Sequence, residues 1–232
     1  EMVIRDWSSD VCSSDLVVPV GAKILADTET PVSVLARFAH ENPNVFLLES
    51  AEGGERWGRY SFMGVSARAN ITVYRNDVVL RQGISEKRIP HNGDPLAVLR
   101  EIMKPYSIAE LPGLPRFCGG LVGYFSYEMI HFFEPRVANT LPSERPMAEF
   151  IIPDTLLIFD NIAHTLTVLA LAFKGADDAD AVYAAAVARV QELLEAMGKP
   201  ADVDMHLNRR TVTMPEPVHG PEYYQGMFAQ VK

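Results

Sequence analysis

The segment 45–64 contains two apolar runs joined by a polar turn, a pattern that predicts an antiparallel hairpin. The first run ends in the carboxylate of Glu49 and the hydroxyl of Ser50. Two adjacent glycines follow, and glycine accepts the positive φ that a tight turn needs. The second run begins at Arg59 and includes Ser61. The hairpin is therefore expected to bring a carboxylate, two hydroxyls and a guanidinium to one end of a sheet.

These four side chains have the chemistry to hold a small zwitterion. An ionised Glu49 only accepts hydrogen bonds, and a bond from an ammonium group to it is worth about 1.5–3 kcal/mol. Arg59 can donate to a carboxylate, and Ser50 and Ser61 offer hydroxyls. Residue type alone leaves other roles open. Ser50 can bond its own backbone at the turn, Glu49 can pair with Arg37 or Arg59, and Arg59 can be a solvated hairpin residue.

The composition argues against several classes of protein. The chain has 232 residues, of which 48% are hydrophobic and 22% charged, as is ordinary for a globular protein. Its net charge of −9 argues against a nucleic-acid partner, because such surfaces collect Lys and Arg. The sequence shows no apolar run near the roughly 18 residues of a membrane span. Cys12 and Cys118 have neither metal nor disulfide spacing, so a reduced, cytoplasmic location is expected.

The remaining periodicities predict an α+β fold, with a mainly antiparallel sheet and flanking helices. Thr30 and Pro31 supply the N-cap and first residue of a helix over 31–41. Two further helices are predicted, one starting at Pro95 and one capped by residues 175–178 and ended by Gly198. The predicted strands are 45–49, 59–64, 70–75, 78–81, 148–153, 155–160 and 165–173, with short extended segments at 17–20 and 24–27 and a loop at 88–92.

Residues 118–128 concentrate glycine at Gly119, Gly120 and Gly123. Glycine weakens a strand, so this cluster indicates a bulge or the close approach of another backbone. A phosphate cradle is the alternative. The segment has neither G-x-G-x-x-G nor G-x-x-x-x-G-K spacing and no nearby Lys. Close packing between strands is therefore the favoured interpretation.

No catalytic or metal-binding constellation is visible in the sequence. The histidines are scattered, and no Ser or Cys lies in a nucleophile-elbow motif. No cluster of His, Asp and Glu has metal-ligand spacing. These absences favour a regulatory or docking role over a catalytic one, and no residue is assigned as catalytic or metal-binding.

The chain divides into four segments by composition. Residues 1–16 contain Ser-Ser-Asp twice and have neither periodicity nor the features of a secretory leader. They resemble translated cloning sequence, with a natural disordered N-terminus as the alternative. Residues 17–200 are predicted to form one domain and residues 201–220 an extended linker. Residues 221–232 begin a new helix whose pattern is cut short, so the sequence is expected to be truncated there.

Three separated motifs resemble those of one enzyme family in order and spacing. They are D-x-x-T-P-V-S-V at 27–34, L-L-E-S followed by R-Y-S-F-x-G over 47–64, and F-x-G-G-x-V-G-Y-x-x-Y-E at 117–128. On these motifs the chain resembles component I of anthranilate synthase. Residues 17–200 then correspond to its N-terminal domain and 221–232 to the start of its chorismate-binding domain. Aminodeoxychorismate synthase is similar throughout and is the alternative, although the L-L-E-S form favours anthranilate synthase.

The resemblance implies that Glu49, Ser50, Arg59 and Ser61 belong to a feedback site for L-tryptophan. In the family, the full enzyme converts chorismate and ammonia to anthranilate and pyruvate in tryptophan biosynthesis, and a glutamine amidotransferase subunit supplies the ammonia. The catalytic residues and the Mg²⁺ site lie in the C-terminal domain. This chain alone is therefore expected to be inactive and to meet chorismate only with that domain. A stand-alone interaction module that docks the amidotransferase around 124–133 is a third possibility.

Overall fold

The computed structural model describes residues 16–39, 42, 44–49, 58–134, 136, 144–173, 178–199 and 219–231. Ser50, the glycine turn after it, the head up to residue 15 and the predicted linker from 201 to 218 lie outside the described residues. By their internal contacts, residues 1–202 form one unit and residues 203–232 a second.

Runs of strands are interrupted by single helices along the described part of the chain. The strands are β1 Leu16–Leu25, β2 Phe46–Leu48, β3 Tyr60–Val73, β4 Asp77–Gln82, β5 Ser85–Pro90, β6 Ser107–Ile108, β7 Val122–Phe125, β8 Ala148–Asp160 and β9 Thr165–Phe173. The helices are α1 Pro31–Phe38, α2 Pro95–Met103, α3 Ile130–Phe133, α4 Ala179–Gly198 and α5 Pro221–Val231, and a 3₁₀ turn, Tyr127–Met129, precedes α3.

The nine described strands form one sheet. Its main path is β5-β4-β3-β8-β9-β1-β6, with β2 added to β3 and β7 added to β8. Every pairing is antiparallel except the short contact of β1 with β6, which is parallel. The predicted α+β class with a mainly antiparallel sheet is confirmed.

The long strands β3 and β8 are the spine of the sheet. They pair from Tyr60 opposite Asp160 to Val73 opposite Ala148, with register shifts over 64–69. On one side of these shifts, β2 and β9 extend the sheet. On the other side, β4 and β7 do so. The register shifts therefore divide the sheet into two parts, in which β3 and β8 have different neighbouring strands.

Each part of the sheet has its own hydrophobic core. The first core lies between the sheet and helices α1 and α4, and it includes Val34, Leu157 and Leu166. The second core is covered by α2 and by the turn before α3, and it includes Ile71 and Leu99. Burial of these side chains is the main stabilising term, at about 25 cal/mol per Å² of apolar surface.

The helix predictions are confirmed with small changes of length. The Thr30 side chain accepts from Ser33 N at 3.1 Å, and the Ser33 side chain reaches back to Thr30 N at 3.0 Å. Asp94 and Asp178 cap α2 and α4 in the same manner, each accepting from a backbone N–H three residues ahead. Local capping therefore sets where these helices begin.

Several strand predictions were wrong in extent. The two extended segments at 17–20 and 24–27 are one strand, β1, that continues through Gly21. The segments 59–64 and 70–75 are likewise parts of the single strand β3. The predicted loop at 88–92 begins within β5, an exposed edge strand. Edge strands commonly carry charged residues, which hide the alternation that marks other strands.

The predicted break between 148–153 and 155–160 is also wrong, because β8 is continuous through Pro153. Pro153 lies opposite Ala67, within the shifted part of the ladder. A bulge tolerates a residue without an N–H. The Ser66 hydroxyl contacts the Asp154 carboxylate and lies 2.7 Å from Thr155 Oγ1, so side chains supply bonds at the bulge.

Gly123 shows why the glycine cluster is there. A Cβ on Gly123 would lie 2.0 Å from the carbonyl oxygen of Glu149, on the neighbouring strand β8. Gly119 and Gly120 have φ of 154° and 122°, which disfavours other residues. The prediction of close strand packing is confirmed at Gly123.

Candidate functional site

The register of β2 against β3 brings the predicted residues toward one end of the sheet. Leu48 lies opposite Phe62, so Glu49 follows the end of β2 beside the start of β3. The Glu49 side chain is exposed at this end. Arg59 and Ser61 flank the first residue of β3. Ser50, the fourth predicted residue, lies outside the described residues.

Arg59 forms a forked ion pair with Asp160, the last residue of β8. Its Nε lies 3.1 Å from both carboxylate oxygens, and its Nη2 lies 2.7 Å from Oδ2. The guanidinium also lies over the ring of Tyr60, with Cζ 4.9 Å from the ring centroid. Such forked geometry fixes the plane of the guanidinium as well as its position. Arg59 is thus a half-exposed residue whose guanidinium is paired with Asp160.

The Asp160 carboxylate accepts from four donor nitrogens, and its side chain is only 8% exposed. Besides Arg59, the backbone N–H groups of Ile162 and Ala163 donate to Oδ1 at 3.2 and 3.1 Å. The hydrogen bonds from Arg59 lower the pKa of Asp160, and those from the backbone add to this, while burial opposes it. Asp160 is therefore an anchored carboxylate that keeps the guanidinium in place.

Ser61 points away from Arg59's partner and toward the first core. It lies opposite Phe159 and is 1% exposed. Its hydroxyl accepts from Asn161 Nδ2 at 3.2 Å, and the same Nδ2 donates to Gly58 O at 3.2 Å. Alternation along a strand explains why Tyr60 and Ser61 face opposite sides of the sheet.

The ion pair of Glu49 with Arg37, considered from the sequence, is replaced by other contacts of that arginine. Arg37 Nη2 lies 2.6 Å from Glu29 Oε1, and Nη1 contacts the carbonyl oxygen of Met197. Arg37 therefore joins α1 to the last turn of α4, where a cation is favourable.

Asp160 and Asn161 were not identified as site residues from the sequence, where Asp160 was only the last residue of the predicted strand 155–160. A signal was present, because an Asp at the end of an apolar strand is an expected partner for a nearby arginine. The missing information was that β8 lies next to β3, which two segments 101 residues apart in sequence do not reveal.

Exposed apolar side chains occur at intervals along this end of the sheet. Leu25 ends β1 opposite Thr165, and Thr165 lies opposite Asp160. Leu25, Leu48 and Ile162 are all exposed. An anchored guanidinium, an exposed carboxylate and an exposed apolar rim together suit an amino acid with a large apolar side chain.

A second group of exposed aromatic side chains lies on β7, the turn that follows it and α3. Tyr124, Phe125, Tyr127 and Phe133 are all half or more exposed. The Tyr124 hydroxyl donates to Glu149 Oε2 at 2.7 Å, and the rings of Phe125 and Phe150 meet edge to face at 5.0 Å. These contacts hold two of the rings in fixed positions on the surface. We refer to the four residues as the β7 aromatic surface.

Within the described part of the chain, no group of three or more His, Cys, Asp and Glu side chains is placed to hold a metal ion. Among the described helices, none has both the length and the apolar character to cross a membrane.

The fold agrees with comparisons to known proteins. The structure of anthranilate synthase component I from Streptococcus pneumoniae aligns with 90% of this chain and 44% of its own, with a TM-score of 0.55 at 22% identity. The model of the chorismate binding enzyme family matches residues 43–232. The chain belongs to the chorismate-binding enzyme family.

Within this family, the chain is most informatively compared with curated relatives that are named anthranilate synthase component 1. The Pseudomonas aeruginosa protein is 38% identical over 188 residues, which cover 79% of this chain and 37% of that protein. The Mycobacterium tuberculosis protein is 38% identical over 216 residues, covering 88% and 40%. The chain is therefore similar to anthranilate synthase component 1 and spans about two fifths of the length of these relatives.

Proposed function

We propose that this chain is the N-terminal, tryptophan-sensing and amidotransferase-docking part of an anthranilate synthase component I. The full enzyme would convert chorismate and ammonia, derived from glutamine, to anthranilate and pyruvate. The similarity to relatives of that name supports the proposal. In it, the catalytic residues and the Mg²⁺ site belong to the part of the relatives that this chain does not match. The chain alone is then inactive.

The observation that carries the sensing role is the composition of the sheet end. Glu49 is placed to accept from the ammonium group of the amino acid, and Arg59 to donate to its carboxylate. The exposed side chains of Leu48 and Ile162 offer apolar surface for the indole. Ser50 is a further proposed contact, on the L-L-E-S motif alone.

Feedback requires that tryptophan bind two conformations of the enzyme with different affinity. A coupling free energy of about 1–3 kcal/mol between such sites is typical. In the proposal, the tryptophan-bound form holds this domain in an arrangement that slows the catalytic domain. Variants of the sheet end should therefore change the tryptophan response more than the uninhibited rate.

The test uses the full-length protein that the gene encodes, assayed with chorismate and ammonia. Glu49→Gln should raise the tryptophan concentration for half inhibition by about tenfold, because it replaces a charge-assisted bond with a neutral one. Ser50→Leu should remain active and become insensitive to tryptophan. Glu86→Gln, which removes an exposed carboxylate paired with Arg81 in the β4–β5 hairpin, is the matched control and should respond normally.

Two results would contradict this function. A wild-type enzyme that ignores tryptophan would remove the sensing role. An aminodeoxychorismate product would instead assign the chain to aminodeoxychorismate synthase.

The docking role rests on the β7 aromatic surface. Aromatic residues are enriched where proteins meet, and a few of them usually carry most of the binding energy. Tyr127 is 81% exposed and is not needed for the core. Tyr127→Lys should therefore weaken the amidotransferase complex without unfolding the chain.

The docking test compares two activities of the full-length protein. Tyr127→Lys should lower the glutamine-dependent rate in the presence of the amidotransferase and spare the ammonia-dependent rate. Ile84→Lys, at a fully exposed turn outside this surface, should spare both rates. Equal glutamine-dependent rates in the Tyr127 variant and the wild type would remove the β7 aromatic surface from the proposal.

A further inference from the structure

Asp160, the last residue of β8, and Asn161, which follows it, hold the segment that carries Arg59. The segment 58–61 carries Arg59 and Ser61, and each of its polar contacts with the β8–β9 turn is made by Asp160 or Asn161. We propose that Asp160 and Asn161 are positioning residues for tryptophan binding. This inference rests on the sensing role proposed above.

Asp160 fixes the guanidinium from one edge. Its bonds engage Nε and Nη2 of Arg59, so the donor edge that includes Nη1 is directed away from the carboxylate. The two backbone N–H groups of Ile162 and Ala163 hold the carboxylate itself, so it does not follow the arginine into solvent. A long, half-exposed arginine is thereby restricted to one orientation before a ligand arrives.

Asn161 holds the backbone at Gly58 and Arg59 and the side chain of Ser61. Its N–H donates to the carbonyl oxygen of Arg59 at 2.8 Å. Its Nδ2 donates to the Gly58 carbonyl and to the Ser61 hydroxyl, both at 3.2 Å. The amide therefore bridges the residue before Arg59 and the second residue of β3. Losing this bridge frees the segment without changing any charge.

The two residues differ in charge, which makes their roles separable, because only Asp160 can act on the ligand electrostatically. Asp160 carries a negative charge next to a site that would bind a carboxylate, and removing this charge alone would strengthen tryptophan binding. Four donors already surround the carboxylate, so its field beyond Arg59 is reduced. Orientation of Arg59 is then the larger effect, and Asp160→Asn weakens tryptophan binding.

The experiment uses the full-length enzyme and tryptophan, with half inhibition measured against each variant's own uninhibited rate. Asn161→Ala should raise the half-inhibiting concentration by about tenfold, a typical loss when a residue that orients a ligand-binding group is removed. Asp160→Asn should raise it too, and Asp160→Glu should recover part of the loss. Asn76→Ala, in the β3–β4 turn, is the matched control and should leave it unchanged.

A double variant separates positioning from general weakening of the fold. If Asn161 acts by placing Arg59, then Asn161→Ala should have little further effect on inhibition once Arg59→Gln is present. Fully additive effects would overturn the inference. If Asn161→Ala does not yield folded enzyme, Asn161→Ser gives the same comparison in a residue type suited to turns.

The possible failures are distinguishable. A wild-type enzyme that tryptophan does not inhibit contradicts the sensing role itself. An enzyme that is inhibited normally, and whose Asn161 and Asp160 variants keep the wild-type response, contradicts only the positioning role. Tighter inhibition in Asp160→Asn would show that the carboxylate competes with the ligand for Arg59, which also overturns the inference.

Discussion

Arg59 and Asp160 are 101 residues apart in the chain and form a forked ion pair at the end of the sheet. Nε lies 3.1 Å from each carboxylate oxygen, and Nη2 lies 2.7 Å from Oδ2. The pair closes the contact between the start of β3 and the end of β8. The ion pair therefore affects both the stability of the pairing between β3 and β8 and the position of Arg59 in the proposed site.

This pair predicts a pH dependence of stability. The pKa of Asp160 is lower in the folded chain than its ordinary value, chiefly because Arg59 donates to the carboxylate. The ion pair therefore stabilises the fold above the unfolded pKa of about 3.9, and this contribution is lost as pH falls through the lower folded pKa. In urea unfolding, the difference in the free energy of unfolding between wild type and Asp160→Asn should be full at neutral pH and should shrink below about pH 4. A difference in stability that does not change with pH would contradict this prediction.

The burial of Leu157 predicts how much a cavity in the first core lowers the free energy of unfolding. It is fully buried, whereas Ile84 is fully exposed at a turn. Leu157→Ala should lower the free energy of unfolding by about 2–5 kcal/mol. Ile84→Ala should stay within about 0.5 kcal/mol of wild type. Denaturant titrations of both variants measure the difference, and similar losses would be inconsistent with the assigned core.

The close packing at Gly123 predicts how much stability is lost when β7 is pushed away from β8. An added methyl group would lie 2.0 Å from Glu149 O and 2.7 Å from Phe150 Cα, which are backbone atoms and cannot rotate away. Gly123→Ala should therefore destabilise the chain by about 1–3 kcal/mol, as overpacking commonly does. At Gly198 an added methyl group meets nothing within 4 Å, so Gly198→Ala should be neutral or stabilising. Thermal unfolding of the two variants provides the comparison.

Thr30 predicts the contribution of the capping box to α1. Its hydroxyl accepts from Ser33 N at 3.1 Å at the start of the helix. Thr30→Ala should cost about 1 kcal/mol, while Thr30→Ser should retain most of that stability. Equal stability of the two variants in urea would mean that the cap is not needed to start α1.

Elements with a strong local pattern could be predicted from the sequence. The strand 165–173 was predicted with the bounds that β9 has, because its β-branched residues and flanking turn are local signals. The starts of α1, α2 and α4 were also set by capping residues near in sequence. The family followed from motifs that are contiguous in the chain.

Elements that depend on neighbouring strands could not be predicted in the same way. The exposed strand β5 has little apolar alternation, and it exists because β4 lies beside it. Pro153 suggested a break in a strand that in fact continues, because the bulge opposite it accommodates the missing N–H.

The sequence by itself determined the chemistry offered at the sheet end, namely Glu49 and Arg59 on two strands joined by a turn. Only the tertiary structure decided what Arg59 contacts and which way Ser61 faces. The reason is that Asp160 and Asn161 reach segment 58–61 through the register of β3 against β8. That register depends on packing across the whole sheet, and no residue type near Arg59 specifies it.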